Sequence, residues 1–377
     1  MLGYGGFPVL DCARPCVEDA GPRTVDTETD GRRTEATEFM ARTNSGEQMG
    51  LDLGDAALND FISEGMTRVE STLQASLSTG ESFLTDKVQH LALAGGKRFR
   101  PMFALLASRY GDATDSATQT VVDAAVVVEL THLATLYHDD VMDEADRRRG
   151  SASANARWDN SVAILAGDYI FAVASAIMAD LGTETVRHFS ETFGELVTGQ
   201  MRETIGCPEG VDPVEHYMTV IQEKTGVLIA SAGFLGALHG GAPVEERDAL
   251  FRYGRHLGQV FQIVDDIIDV WSDPEESGKT PGTDLREGVF TLPVLYAMQE
   301  QNRGGERLRE ILTGPVTDDA LVDEALTLIR ASGGRERSLA DVERYRDLGE
   351  TELALLPETP VTAALRRLMN FSLARLG

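Results

Sequence analysis

From about residue 51 onward, apolar residues recur at spacings of three and four, with Ala and Leu frequent and no run of strict alternation. That period is the signature of helices packed through one face, and it predicts no strands. Glycine and proline supply the punctuation, at Gly95-Gly96, Gly111-Asp112, Gly150, Cys207-Pro208, residues 240–243, Asp273-Pro274 and residues 278–282. The intervals predict helices of roughly ten to thirty residues, longer than the globular average. Residues 121–136 are apolar nearly all round and belong inside a bundle. The tail beyond Glu306 reads as plain amphipathic helix. The pattern predicts one all-α domain over residues 51–377. Residues 1–50 break it: they hold seven Leu, Ile, Val or Phe and seven glycines among scattered charges. Such a segment is too poor in apolar residues to fold by itself, and a disordered N-terminal extension is expected.

One stretch, residues 162–179 (VAILAGDYIFAVASAIMA), has the length of a membrane span. Asp168 sits in its middle, and a carboxylate at mid-bilayer is costly. It is therefore read as a buried helix of the bundle. The opening MLGYGGFPVL lacks a basic region followed by a sustained apolar core, so no secretory signal is expected.

Charge narrows the function. Lys and Arg number 34 and Asp and Glu 61 among 377 residues, a formal charge of −27. Such a surface repels nucleic-acid phosphate and disfavours docking on anionic lipid by charge alone. A diphosphate substrate would need concentrated basic groups or bridging cations. Three cysteines, Cys12, Cys16 and Cys207, are too few for a disulfide scaffold or a four-thiolate zinc site. A reducing, cytoplasmic setting is expected.

Two segments share one design: Asp139-Asp140-Val141-Met142-Asp143 and Asp265-Asp266-Ile267-Ile268-Asp269. On a helix, residues four apart share a face, so Asp139 stacks with Asp143 and Asp265 with Asp269. An acidic cluster is ordinarily a solvated face. Here the flanks, LTHLATLYH before the first and VFQIV and IIDVW around the second, are apolar. Carboxylates so placed repel one another and lose solvation unless cations compensate. Oxygen ligands without His or Cys favour Mg²⁺ over zinc, and Mg²⁺ keeps few carboxylates while taking water and substrate phosphate. Neither cluster has the glycine and terminal glutamate of an EF-hand loop. Basic residues flank both: Arg147, Arg148 and Arg149, with Gly150 offering a helix stop, follow the first, and Lys279 follows the second. Lys97, Arg98 and Arg100 lie at a predicted helix start, where free amides also favour anions.

The motifs GGKRFRP, HDDVMDEADRRRG, LAGDY, EKTG, FQIVDDIID and GKTPGTDLREGVFTLP, in this order between about Lys87 and Ala297, resemble those of the all-trans polyprenyl diphosphate synthases. The resemblance implies an antiparallel helical bundle around a deep central cavity, usually homodimeric. It implies head-to-tail addition of isopentenyl diphosphate to an allylic diphosphate. Asp139, Asp140, Asp143, Asp265, Asp266 and Asp269 would hold three Mg²⁺ ions on the allylic diphosphate. Arg148 and Lys224 would contact the same group, and Lys279 would reach it on loop closure. Lys97, Arg100, His132 and Arg149 match positions that bind isopentenyl diphosphate. Thr225 and Gln262 match residues beside the reacting carbons, and released diphosphate would take the proton. The product would be delivered to a membrane without stable insertion of the protein. Two departures stand out, Val289 where the family often has Lys and Ala152 where it often has Pro.

In that family the residue five before the first aspartate, or its neighbour, controls chain growth. Here these are Ala134 and Thr135, both small. An open floor is expected, with a product of roughly seven to ten isoprene units of the quinone side-chain type. Phe171 or Ile170 could act as deeper blockers, and geranylgeranyl or farnesyl diphosphate is the alternative product. A terpene cyclase would not need Lys97, Arg100 and Arg149, and DDIID argues against one. A catalytically dead regulatory subunit would lack one of the aspartate motifs, and a plain cation-binding protein would lack their apolar flanks.

Overall fold

The helices begin where short polar side chains cap them. Asp55 accepts from the Leu58 amide at 2.9 Å and opens α1, Ala56–Ser76. Helix α2, Phe99–Ser108, follows the Gly95-Gly96 break. Thr118 caps α3, Gln119–Met142, and Asp159 caps α4, Asn160–Leu181. Helix α5 spans Thr183–Ile205 and α6 Pro213–Ile221, with Pro213 in its first turn. Helix α7, Val227–Gly240, and α8, Val244–Trp271, complete the central group. Then come α9 Leu292–Gln299, α10 Arg303–Ile311, α11 Asp319–Arg330, α12 Gly334–Leu353 and α13 Pro360–Ala374, besides short helices at Ser82–Val88, His90–Leu93, Ala154–Arg157 and Thr283–Glu287. The computed structural model describes residues 52–111, 116–271 and 281–375. The expected extension over residues 1–50 and the candidate Lys279 lie outside them.

This is an all-α fold. Helix α3 packs most extensively on α4, and α7 lies between α2 and α8. Both α3 and α7 are buried nearly all round, as the apolar run at 121–136 required. Backbones meet closely here: a Cβ at Gly236 would stand 2.0 Å from the Ala104 carbonyl oxygen, so only glycine lets α7 seat on α2. A second, smaller core joins the end of α8 to α9, α10 and α11.

Two expectations need correction. Residues 162–179 are helical, but only a third of the most apolar stretch of α4 is buried. One face packs on α3 while Leu165 on the other is 65% exposed. Gly150 does not stop a helix. Helix α3 already ends at Met142, and Arg149-Gly150 turns a two-residue β-hairpin, β1 Arg147–Arg148 against β2 Ser151–Ala152. Both turn residues have positive φ (51° and 78°), the geometry that suits the twist of paired strands.

Arg98 is structural. It caps α2 in left-handed conformation and is 6% exposed, with Nε 3.0 Å from Glu70 and Nη1 2.9 Å from Glu129. A buried cation needs such doubly paired surroundings.

Candidate active site

The first aspartate motif straddles the end of α3. Asp139 and Asp140 lie in its last turn, and Asp143 is its C-cap, with its amide 2.8 Å from the Asp139 carbonyl. Arg148 reaches back from the hairpin, its Nε 2.6 Å from Asp140 Oδ1 and an Nη 3.5 Å from Asp143. The other oxygen of Asp140 is buried without a hydrogen-bond partner. Burial pushes the Asp139 carboxyl up to about 6, against the pull of Lys224.

The second motif lies wholly within α8. Tyr217 of α6 donates its hydroxyl to Asp266 Oδ2, and Gln262 Nε2 donates to Oδ1 at 3.1 Å. Burial dominates there too, lifting Asp266 to about 7. Asp265 Oδ1 accepts from Arg375 of the C-terminal region, whose guanidinium also covers the Phe261 ring. Asp269 is nearly buried. Among the described residues, no three His, Cys, Asp or Glu side chains converge as a ready-made ligand set.

Between these motifs the chain leaves regular geometry. Residues Gln222–Gly226 form a π-helical turn joining α6 to α7. Such a turn carries one surplus residue and is common at functional sites. It presents Lys224 and Thr225 side by side. Lys224 Nζ donates to Glu203 of α5; burial disfavours its charge, yet Glu203 and Asp139 outweigh that and raise its pKa. Thr225 Oγ1 donates to Gln262 Oε1 at 3.2 Å, which ties the turn to the second motif. Helix α5 can approach because its residue 199 is glycine; a Cβ there would lie 2.7 Å from the Lys224 amide nitrogen.

Only part of this set borders a cavity of about 640 Å³: Asp139 of the first motif and Lys224 and Thr225 of the π-turn do, and no aspartate of the second motif is in its lining. Arg100, His132, Thr135, Asp139, Lys224 and Thr225 line it, with Leu196, Val197 and Met201 of α5 as apolar wall. Arg100 Nε is buried without a partner, and burial pulls its pKa down to about 10 despite Glu129. Burial, then Arg100 and Arg149, hold His132 well below the usual imidazole range. Arg149 donates to the Leu91 carbonyl at 3.1 Å and to that of Gly95. Lys97 is exposed and outside the lining.

Polyprenyl synthetase, as a family model, matches residues 81–329 of the chain. The nonaprenyl diphosphate synthase of Mycobacterium tuberculosis is 51% identical over 89% of this chain and 100% of its own. A dimethylallyltranstransferase of the same organism is 42% identical over 86% and 98%. Among solved structures, a geranylgeranyl pyrophosphate synthase of Corynebacterium glutamicum, complexed with calcium and isoprenyl diphosphate, superposes with TM-score 0.78. It is 59% identical and covers 87% of this chain and 100% of that one. The chain belongs to the polyprenyl synthetase family. It is a prenyltransferase built on the all-α isoprenoid synthase fold, as the motifs implied.

Within this prenyltransferase, several expected residues lie outside the cavity lining: Lys97, Arg148, Arg149, Gln262 and every aspartate of the two motifs but Asp139, and with them the expected chain-length residue. Ala134 does not line the cavity; it is 2% exposed in the packed core. Successive helical residues point about 100° apart, so Ala134 and Thr135 cannot share a face. Thr135 keeps the cavity face of His132 and Asp139, three and four residues away. Sequence reasoning missed Tyr217, Glu203 and Arg375, which hold the charged groups. Each partners a residue 21 to 110 positions away, and no local pattern marks such contacts.

Proposed function

We propose that this prenyltransferase adds isopentenyl diphosphate head to tail onto an allylic diphosphate and makes a medium- or long-chain all-trans polyprenyl diphosphate. The observation that carries the reading is that one cavity is bordered both by Asp139, Lys224 and Arg100 and by apolar side chains such as Leu196, Val197 and Phe193. A charged head and a growing hydrocarbon tail both find matching walls.

The donor set fits Mg²⁺. All six aspartates offer oxygen, and the orphaned Oδ2 of Asp140 is the kind of buried acceptor a cation satisfies. Asp139, Asp140 and Asp143, with Asp265, Asp266 and Asp269, would hold the ions, whose coordination shells water and substrate phosphate complete. When bound, Mg²⁺ supplies the positive charge that stabilises departing diphosphate. Arg148 and Lys224 bind the same allylic diphosphate, aided by Lys279 from outside the described residues. Arg100, with its unpartnered Nε, and His132, Arg149 and Lys97 bind isopentenyl diphosphate. Neutral His132 donates a hydrogen bond without adding charge beside four arginines.

Ionisation leaves an allylic cation, which the apolar wall shields from water. Thr225 Oγ1, on the cavity lining, offers it an oxygen dipole, and Gln262 Oε1 holds that hydroxyl in place. The double bond of isopentenyl diphosphate attacks, and the released diphosphate accepts the lost proton. The nonaprenyl relative supports a long product; the Corynebacterium relative favours geranylgeranyl diphosphate as the second reading. Exposed Leu165, Met201 and Ile205 on α4 and α5 support a homodimer joined through that face. Delivery of the product to a membrane, from a protein that stays cytoplasmic, follows from the product's apolarity.

The test is product analysis. Purified protein is incubated with Mg²⁺, labelled isopentenyl diphosphate and each of several allylic primers. Long chains support the reading, chains of three or four units select the short-chain alternative, and no condensation overturns both.

A further inference from the structure

Two cavities follow one another along α5. The first, of about 640 Å³, meets the helix at Gln200, Val197 and Leu196. The second, of about 340 Å³, meets it at Ser190, Phe189 and Val186, and is lined from α4 by Phe171, Ser175 and Met178. Phe193 belongs to both linings. At the helical rise it stands about 10 Å from Gln200 on one side and about 10 Å from Val186 on the other. Its ring packs on Phe171 with centroids 4.4 Å apart, which joins α5 to α4 across the boundary.

We propose that the Phe193 ring is the partition that sets product length in this enzyme. The proposal rests on the elongation reaction above and names the side chain that limits it. Each condensation adds five carbons at the diphosphate end, which the polar residues hold in place. The far end of the chain is therefore pushed deeper with every cycle. Once the tail has filled the first cavity it meets Phe193, and it advances only if that ring swings aside. Beyond lies an apolar space about half as large as the first, walled by Phe171, Met178 and Phe189. Neither small residue ahead of the first aspartate motif can act as this stop. Ala134 faces the packed core, and Thr135 lies in the first cavity beside the polar groups. The phenyl contact between α4 and α5 is the bulky obstacle on the tail's path.

The experiment compares wild type, Phe193→Ala and the double variant Phe193→Ala with Ser175→Phe. Each is assayed with Mg²⁺, labelled isopentenyl diphosphate and farnesyl diphosphate as primer, reading both total incorporation and product length. Phe193→Ala should lengthen the main product by one or more five-carbon units. Filling the second cavity at Ser175 should reverse that gain. Incorporation with unchanged lengths in Phe193→Ala overturns the partition alone. Lengthening that Ser175→Phe does not reverse overturns the path through the second cavity. No incorporation by wild type overturns the elongation reading and the partition with it. If Phe193→Ala loses its helical circular dichroism, Phe193→Leu carries the same comparison with the same outcomes.

Discussion

Arg148 Nε lies 2.6 Å from Oδ1 of the fully buried Asp140, so one residue of the basic hairpin is locked to the first aspartate motif before any substrate arrives. The contact fixes the carboxylate so that its second oxygen points into unpaired space. Arg148→Gln should leave Asp140 uncompensated and cost about 1–3 kcal/mol of stability. Turnover should fall at least about tenfold, equivalent to about 1.4 kcal/mol. Chemical denaturation and steady-state assays check both.

Asp139 sits where its charge opposes folding. Asp139→Asn should raise the melting temperature of chelator-treated protein by about 2–4 °C. The same variant, like Asp139→Ala or Asp265→Ala, should abolish turnover with helical content intact. A variant more stable yet inactive marks a carboxylate kept for chemistry at the expense of stability.

The pH dependence has a definite sign. Burial pushes Asp266 up to about 7 and Asp139 up to about 6 from the ordinary aspartate value of 3.8. The folded chain therefore binds protons that the unfolded chain does not. Stability from these groups is greatest at low pH and is lost as pH rises through about 6 and 7. Melting of metal-free protein should improve as pH falls from about 8 to about 5, and Mg²⁺ should offset the loss at the alkaline end. A flat profile would show that the two carboxyls are better solvated than their burial implies.

Tyr217→Phe removes one of the two side-chain donors to Asp266 and leaves Gln262 and the Leu292 amide. At about 1 kcal/mol for the hydrogen bond, the Mg²⁺ concentration for half-maximal rate should rise several-fold while helical content holds. Titration of activity with Mg²⁺ reads the change.

The two small residues ahead of the first motif should now part company. Ala134→Phe overpacks the core and should cost about 1–3 kcal/mol. Thr135→Phe projects into the cavity and should shorten the product. Thermal melts and product chromatography separate the two.

Much of this was legible from the chain because the signals are local. The helical period and the paired DDxxD segments sit within single helices, and the apolar flanks of those segments announce their burial. What escaped depends on tertiary neighbours. Glu129 makes Arg98 a structural residue and leaves Arg100 for the cavity, although both stand in one basic run. The alternation of Arg149 and Gly150 into positive φ converts an expected helix stop into a hairpin. Phe193 carries no mark in sequence, since only the placement of α4 beside α5 puts its ring between two spaces.

The π-turn at Gln222–Gly226 makes spacing as consequential as chemistry. The turn absorbs one surplus residue, so deleting any one there would let the segment relax into ordinary helix while its flanks keep their relative orientation. Tyr217 would stay with Asp266, but the bulge that presents Lys224 and Thr225 side by side would be lost. A shift of a single codon would thus dismantle the Lys224–Thr225 pair. Over evolutionary time this stretch should accept exchanges of side chain far more readily than changes of length.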